Sequence, residues 1–113
     1  MKTIREVQDI TSEITGFSLS ELRSPRRTKK LARARQAAMF VARKRTEKSF
    51  PQIGIAFGKR DHTTVLWAVR SVEHRLSTDA ETRRLVTAID CRLMEFVSVR
   101  YATPEELGIE DAA

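Results

Sequence analysis

One cysteine, Cys91, is all that the 113 residues offer, so an internal disulfide framework is excluded and the chain suits a reducing cytosol. A catalytic role for that thiol would need a nearby base, and the only histidines are His62 and His74. Neither histidine has Cys or carboxylate neighbours at metal-ligand spacing, so no metal and no cofactor are expected. No apolar run approaches the roughly 18 residues needed to cross a bilayer, and the start, Met-Lys-Thr-Ile-Arg-Glu, lacks the apolar core of a signal peptide. The expected location is the cytoplasm. Adjacent carboxylates occur at Glu105 and Glu106, near the C-terminus, where solvation is the default role. Strand-type alternation of Val, Ile and Thr is missing as well, which points to an all-α chain.

Acids are scarce in one place. Residues 23–48 hold eleven Lys or Arg against a single acid, Glu47. The ends of the chain are acidic by comparison, although the whole carries +6. A basic block with a location attracts polyanions and makes binding fall steeply with salt. At 41% apolar and 32% charged residues, one small soluble domain with its own core is expected.

Apolar spacing predicts helices nearly throughout. Residues 3–15 place Ile4, Val7, Ile10 or Thr11, and Ile14 on one face, and Gly16 stops them. Phe17 to Leu22 is a connection or one short turn. Ser24-Pro25-Arg26-Arg27-Thr28 is a basic loop, because its proline is unfit for a helix interior. Residues 29–46 carry the stripe Leu31, Ala34, Ala38, Val41 and Ala42, with Met39 and Phe40 off it. A helix apolar on more than one side is expected to be central. Ser49 is a good N-cap with Pro51 in the first turn, and Ile53, Ala56 and Phe57 give a short apolar face before Gly58. Asp61 then caps a helix to about Arg75, with Val65, Ala68, Val69, Val72 and Leu76 inward and Thr63, Trp67, Arg70 and His74 outward. Residues 79–101 repeat apolar positions at Leu85, Ile89, Leu93 and Phe96 or Val97.

The segment 49–64 therefore has the form of a helix-turn-helix beside a basic segment, the arrangement with which small domains grip duplex DNA. Gly58 can take positive φ at the turn. The second helix would present its N-terminus, whose free N–H groups and dipole favour phosphate or base acceptors. Asp61, His62, Thr63 and Thr64 are short and polar enough to reach base edges in the major groove.

Three runs carry a more specific signal: Ala34-Arg35-Gln36-Ala37-Ala38-Met39, Phe50-Pro51-Gln52-Ile53-Gly54, and Phe57-Gly58-Lys59-Arg60-Asp61-His62-Thr63-Thr64-Val65. Together they resemble the C-terminal DNA-binding domain (domain IV) of DnaA, the bacterial initiator of chromosome replication, over roughly residues 3–76. The resemblance implies a Trp-repressor-like helix-turn-helix fold and a TTATNCACA-type duplex as ligand. It implies that Arg35 enters the minor groove, and that Phe50 and Pro51 touch thymine methyls. Asp61, His62 and Thr63 match residues that read bases, whereas Arg60 and Thr64 match phosphate contacts. Arg26, Arg27, Lys29 and Lys30 would lie along the backbone, with Lys48 and Lys59 as further phosphate contacts. Where the family usually has Gly-Gly before Arg-Asp-His, this chain has Gly58-Lys59, so Gly58 is expected to take the positive φ alone. For Trp67 two readings stand: it packs against the basic loop or the C-terminal extension, or it flanks the DNA and reaches sugar or a thymine methyl.

The expected organisation is a DNA-binding domain at 1–76, a C-terminal helix at 77–102 that packs on it or pairs two copies, and an acidic flexible tail at 103–113. A homodimer through residues 79–101 would supply two reading heads. No Gly-x-x-x-x-Gly-Lys-Ser/Thr motif occurs, so ATP hydrolysis is not expected and the chain is not read as an enzyme. The expected function is binding of DnaA-box-like duplex as a small regulator of replication or transcription. Two alternatives stand beside it. One is a DNA-binding fragment of a full initiator, against which the chain has its own Met1 and continues beyond the family's usual end. The other is an interaction module that binds the initiator or itself through the C-terminal helix.

Overall fold

A computed structural model describes residues 2–94, and among them every regular element is helical. In chain order these are α1 (Ile4–Thr15), α2 (Leu19–Leu22), α3 (Lys29–Thr46), α4 (Phe50–Ala56), α5 (His62–Leu76) and α6 (Ala80–Leu93). The expected tail at 103–113 and the positions Phe96 and Val97 lie outside the described residues.

The helix ends follow local chemistry. Capping boxes start three helices, with Thr3 and Glu6 for α1, Ser18 and Glu21 for α2, and Ser49 and Gln52 for α4. Each box satisfies two backbone N–H groups that would otherwise be orphaned. Gly16 ends α1 at φ +83°, a conformation that costs glycine little. Thr28 caps α3, so the basic loop ends in a helix start.

At the centre lies α3, packed against α1, α5 and α6. Ala34, Ala37, Ala38 and Ala42 are buried along it with Leu31, Met39 and Val41, so small side chains let the neighbouring helices approach closely. Phe57, Ile53, Val65 and Val72 fill the other side of the core. Met39, expected off the stripe, is fully covered because α3 has neighbours on several sides.

The seam of α6 is Thr82, Val86, Ile89 and Leu93. Leu85, expected on that seam, sits at its edge. Two ion pairs fasten the helix to α3: Arg45 donates to both carboxylate oxygens of Asp90 at 2.7 and 2.8 Å, and Arg33 donates to Asp79 at 2.9 Å. Within residues 80–93 the buried apolar side chains are thus already covered by this domain's own core.

Candidate nucleic-acid interface

The turn between α4 and α5 is tight, and its geometry follows from Gly54 and Gly58. The Arg60 N–H donates to the Gly54 carbonyl at 2.8 Å. A Cβ at Gly54 would overlap the Arg60 carbonyl oxygen, and one at Gly58 would overlap the Arg23 carbonyl oxygen. Gly58 has φ +96°. The turn is therefore pressed onto both its own helix and the start of the basic loop.

Lys59 corrects an expectation: it too adopts positive φ, at +60°. The chain needs two successive residues of this kind to reverse direction before α5, and only the first is glycine. A left-handed lysine costs about 1–2 kcal/mol.

Arg35 corrects a second expectation. It is only 5% exposed and cannot act as a free arm. Its Nε donates to the Leu22 carbonyl at 2.8 Å, and its Nη2 lies within bonding distance of the carbonyls of Glu21 (3.2 Å), Ser24 (3.0 Å) and Arg26 (3.1 Å). Burial, and then the charge of Arg60, pull its pKa down to about 10. Both its Nε and its Nη2 are thus engaged by backbone carbonyls. Arg35 is a clamp that gathers carbonyls of residues 21–26, while Leu22 stays in the core and Arg23, Pro25 and Arg26 are exposed.

Arg60 is the second clamp. It donates to the Phe57 carbonyl and, at 2.6 Å, to the Ser24 carbonyl. Burial lowers its pKa, and the nearby Arg27 charge lowers it further. Its guanidinium thus serves the backbone of the turn and the loop, while the phosphate role expected of it is available only if those contacts loosen.

The cations left outward are Arg27, Lys29, Lys30 and Lys59, all exposed. Arg26 is exposed and forms an ion pair with Glu21 at 3.5 Å. Lys29 and Lys30 occupy the first turn of α3, which has no acidic residue. Cations there oppose the helix dipole, so they add nothing to folding and concentrate positive potential. Lys48 is half-buried and offers its carbonyl to Arg43 at 3.0 Å.

On α5, Asp61, His62, Thr63 and Thr64 are all exposed at the N-terminal end. Asp61 stands at the N-cap position, yet its side chain makes no capping bond. It instead accepts from the Thr63 hydroxyl and lies 3.2 Å from His62 Nδ1. The Thr63 hydrogen bond, chiefly, holds the carboxyl below its ordinary range. The first turn of α5 thus starts at an exposed end with no side-chain cap of ordinary geometry.

One concave surface of about 980 Å³ joins these parts. Arg27, Arg35 and Arg60 lie on its loop and turn walls, and Asp61, Thr64 and Trp67 on its α5 wall. Arg35 therefore borders the same concavity as Asp61 and Thr64 at the N-terminal end of α5, while His62 and Thr63 do not line it. Phe50 and Pro51 do not line it. They stand at the start of α4, where the Arg43 guanidinium lies 4.2 Å above the centre of the Phe50 ring. Arg43 escaped the sequence reading; its spacing of seven residues from Phe50 crosses a helix end and gives no periodic signal.

The match to known proteins coincides with these elements. The family model described as the helix-turn-helix of the bacterial dnaA protein matches residues 4–72. Among curated relatives, the chromosomal replication initiator protein DnaA of Wolbachia pipientis wMel is 46% identical over 79 residues, 70% of this chain and 17% of the relative. The protein of the same name from Cereibacter sphaeroides (strain ATCC 17029) is 42% identical over 79 residues, again 70% and 17%. That of Anaplasma marginale (strain St. Maries) is 43% identical over 81 residues, 72% and 17%. The chain thus spans about a sixth of the length of the relatives it matches.

Proposed function

Because the chain belongs to the family of the bacterial DnaA helix-turn-helix domain, we propose that it binds duplex DNA in a sequence-specific manner at DnaA-box-like sites, without ATP. The observation that carries this reading is a concave face that Arg27 of the basic loop shares with Asp61 and Thr64 at the polar N-terminal end of α5. In the bound state His62, Thr63 and Asp61 read base edges in the major groove, with Phe50 and Pro51 at thymine methyls beside them. Lys29, Lys30, Lys48, Lys59 and Thr64 neutralise or bond phosphates.

The minor-groove role falls to Arg27. It is exposed on the outer side of the loop that Arg35 and Arg60 hold in place, and an arginine in a narrow A·T groove meets enhanced negative potential. Arg35 acts one step back, by fixing where Arg27 points.

One copy carries both reading elements, so binding needs no second copy. The homodimer expected through residues 79–101 is not favoured by the covered face of α6. The biological role proposed is regulation of replication initiation or transcription at such boxes, in the cytoplasm; among the described residues no helix is long and apolar enough to cross a membrane. A protein-interaction role through α6 is the second reading, favoured only by the polar outer face of Glu81, Arg83 and Arg84. Selection of binding sites from a random duplex pool tests the proposal. Enrichment of a DnaA-box-like sequence supports it, and recovery of no shared sequence opposes it.

A further inference from the structure

Two large apolar side chains among the described residues stand in water, Ile55 and Trp67, the latter 63% exposed. Trp67 belongs to α5, four residues beyond Thr63 on the same outward face. It lines the concave surface that Arg23, Arg27 and Arg60 also line. The Arg70 guanidinium lies 5.7 Å above the centre of its ring, a cation–π contact that restrains the indole in an outward pose. The indole N–H has no protein acceptor among the described residues. An exposed ring with a free donor, on a surface also lined by Arg23, Arg27 and Arg60, suits an occupant that is anionic and also offers apolar surface.

We propose that Trp67 is a specificity-determining residue for duplex DNA: its ring covers the 5-methyl of a thymine and its N–H donates to the neighbouring phosphate. The proposal rests on the DNA-binding reading above and adds a base position to it. Trp67 lies about 6 Å farther from the N-terminus of α5 than Thr63, toward the edge of the groove. A helix entering the major groove by its N-terminus leaves toward the backbone at that distance, where a methyl and a phosphate oxygen lie close together. The lining arginines favour this occupant over an apolar protein segment, which would leave them facing uncharged surface.

The test replaces each thymidine of a bound box duplex and its flanks, one at a time, with deoxyuridine. That change keeps every hydrogen-bonding edge and removes only the methyl. The full chain and Trp67→Ala are compared, with thermal melting as a control on folding. The expected result is one thymidine where the native chain loses about fourfold in affinity, the worth of one buried methyl-sized group, and where Trp67→Ala is indifferent. Losses at thymines under other residues persist in both proteins. Identical scans overturn the proposal. If the native chain does not prefer the box to a scrambled duplex, the DNA-binding reading falls with it. The emission of this sole tryptophan gives a second readout: a shift on adding box duplex supports the contact, and an unchanged spectrum at saturation overturns it.

Discussion

Arg35 and Arg60 donate to one and the same acceptor, the carbonyl oxygen of Ser24, at 3.0 and 2.6 Å. Two guanidiniums from different elements, one on α3 and one at the turn before α5, thus converge on the basic loop. Their mutual repulsion and burial are offset by backbone carbonyls that would otherwise face each other unpaired. The loop is held at fixed distance from the reading helix before any ligand arrives, which lowers the ordering cost of binding.

Removing the clamp should therefore cost folding, and removing the loop's outward cation should not. Arg35→Ala is expected to lower unfolding free energy by about 2–4 kcal/mol, since the Leu22 and Arg26 carbonyls lose their donor and a buried side chain leaves a gap. Arg35→Lys should recover little, because one ammonium cannot span the same acceptors. Arg27→Ala should change stability by less than about 0.5 kcal/mol and cost about 1–3 kcal/mol of duplex affinity, with relaxed preference at the A·T pairs it meets. Denaturant unfolding and binding titrations on the same three variants check the division.

The turn offers a test in which stability and binding move in opposite directions. Lys59→Gly relieves a left-handed lysine and should stabilise the fold by about 1 kcal/mol or less, after the added freedom of the unfolded chain is counted. It should also weaken duplex binding by removing one phosphate contact. Gly58→Ala should be strongly destabilising, because its φ is +96° and a Cβ there overlaps the Arg23 carbonyl. Thermal melting separates the two directly.

Acid stability should report on the seam between α3 and α6. The Arg45 hydrogen bonds, chiefly, hold the Asp90 carboxyl below its ordinary value of 3.8. A depressed carboxyl contributes stability that is present above the unfolded value and lost as pH falls through the folded one. Asp90→Asn should accordingly lower the melting temperature at pH 7, and its deficit should shrink only below about pH 4. A deficit independent of pH down to about pH 2 would speak against the charge as its cause.

Much of the fold was legible because periodicity and caps agreed. Val65, Ala68, Val69 and Val72 are buried as their spacing requires, and Gly16 and Gly58 take the positive φ expected of them. The role of Arg35 was misjudged for a physical reason. A buried arginine satisfied by carbonyls looks, in sequence, like any other member of a basic run. One signal was present: Arg35 lies four residues after Leu31 and three before Ala38, squarely on the apolar stripe. Gln8 repeats the pattern on α1, where it is buried, donates to the Ala56 carbonyl at 2.9 Å and accepts from Arg23 at 2.9 Å. The left-handed Lys59 had no signal within this chain, since glycine at the preceding position was sufficient to explain the turn. Trp67 lies on the outward face of α5 as its spacing required, and is 63% exposed.

Most direct of all is a titration of the full chain against a DnaA-box duplex and a scrambled one, at about 0.15 M salt, with Thr63→Ala alongside. The native chain should prefer the box by about a thousandfold or more. Thr63→Ala should lose most of that preference and keep its salt slope, because the cations of the loop are untouched. Equal affinity of the native chain for both duplexes would contradict base readout by the N-terminal end of α5 and leave only attraction between charges.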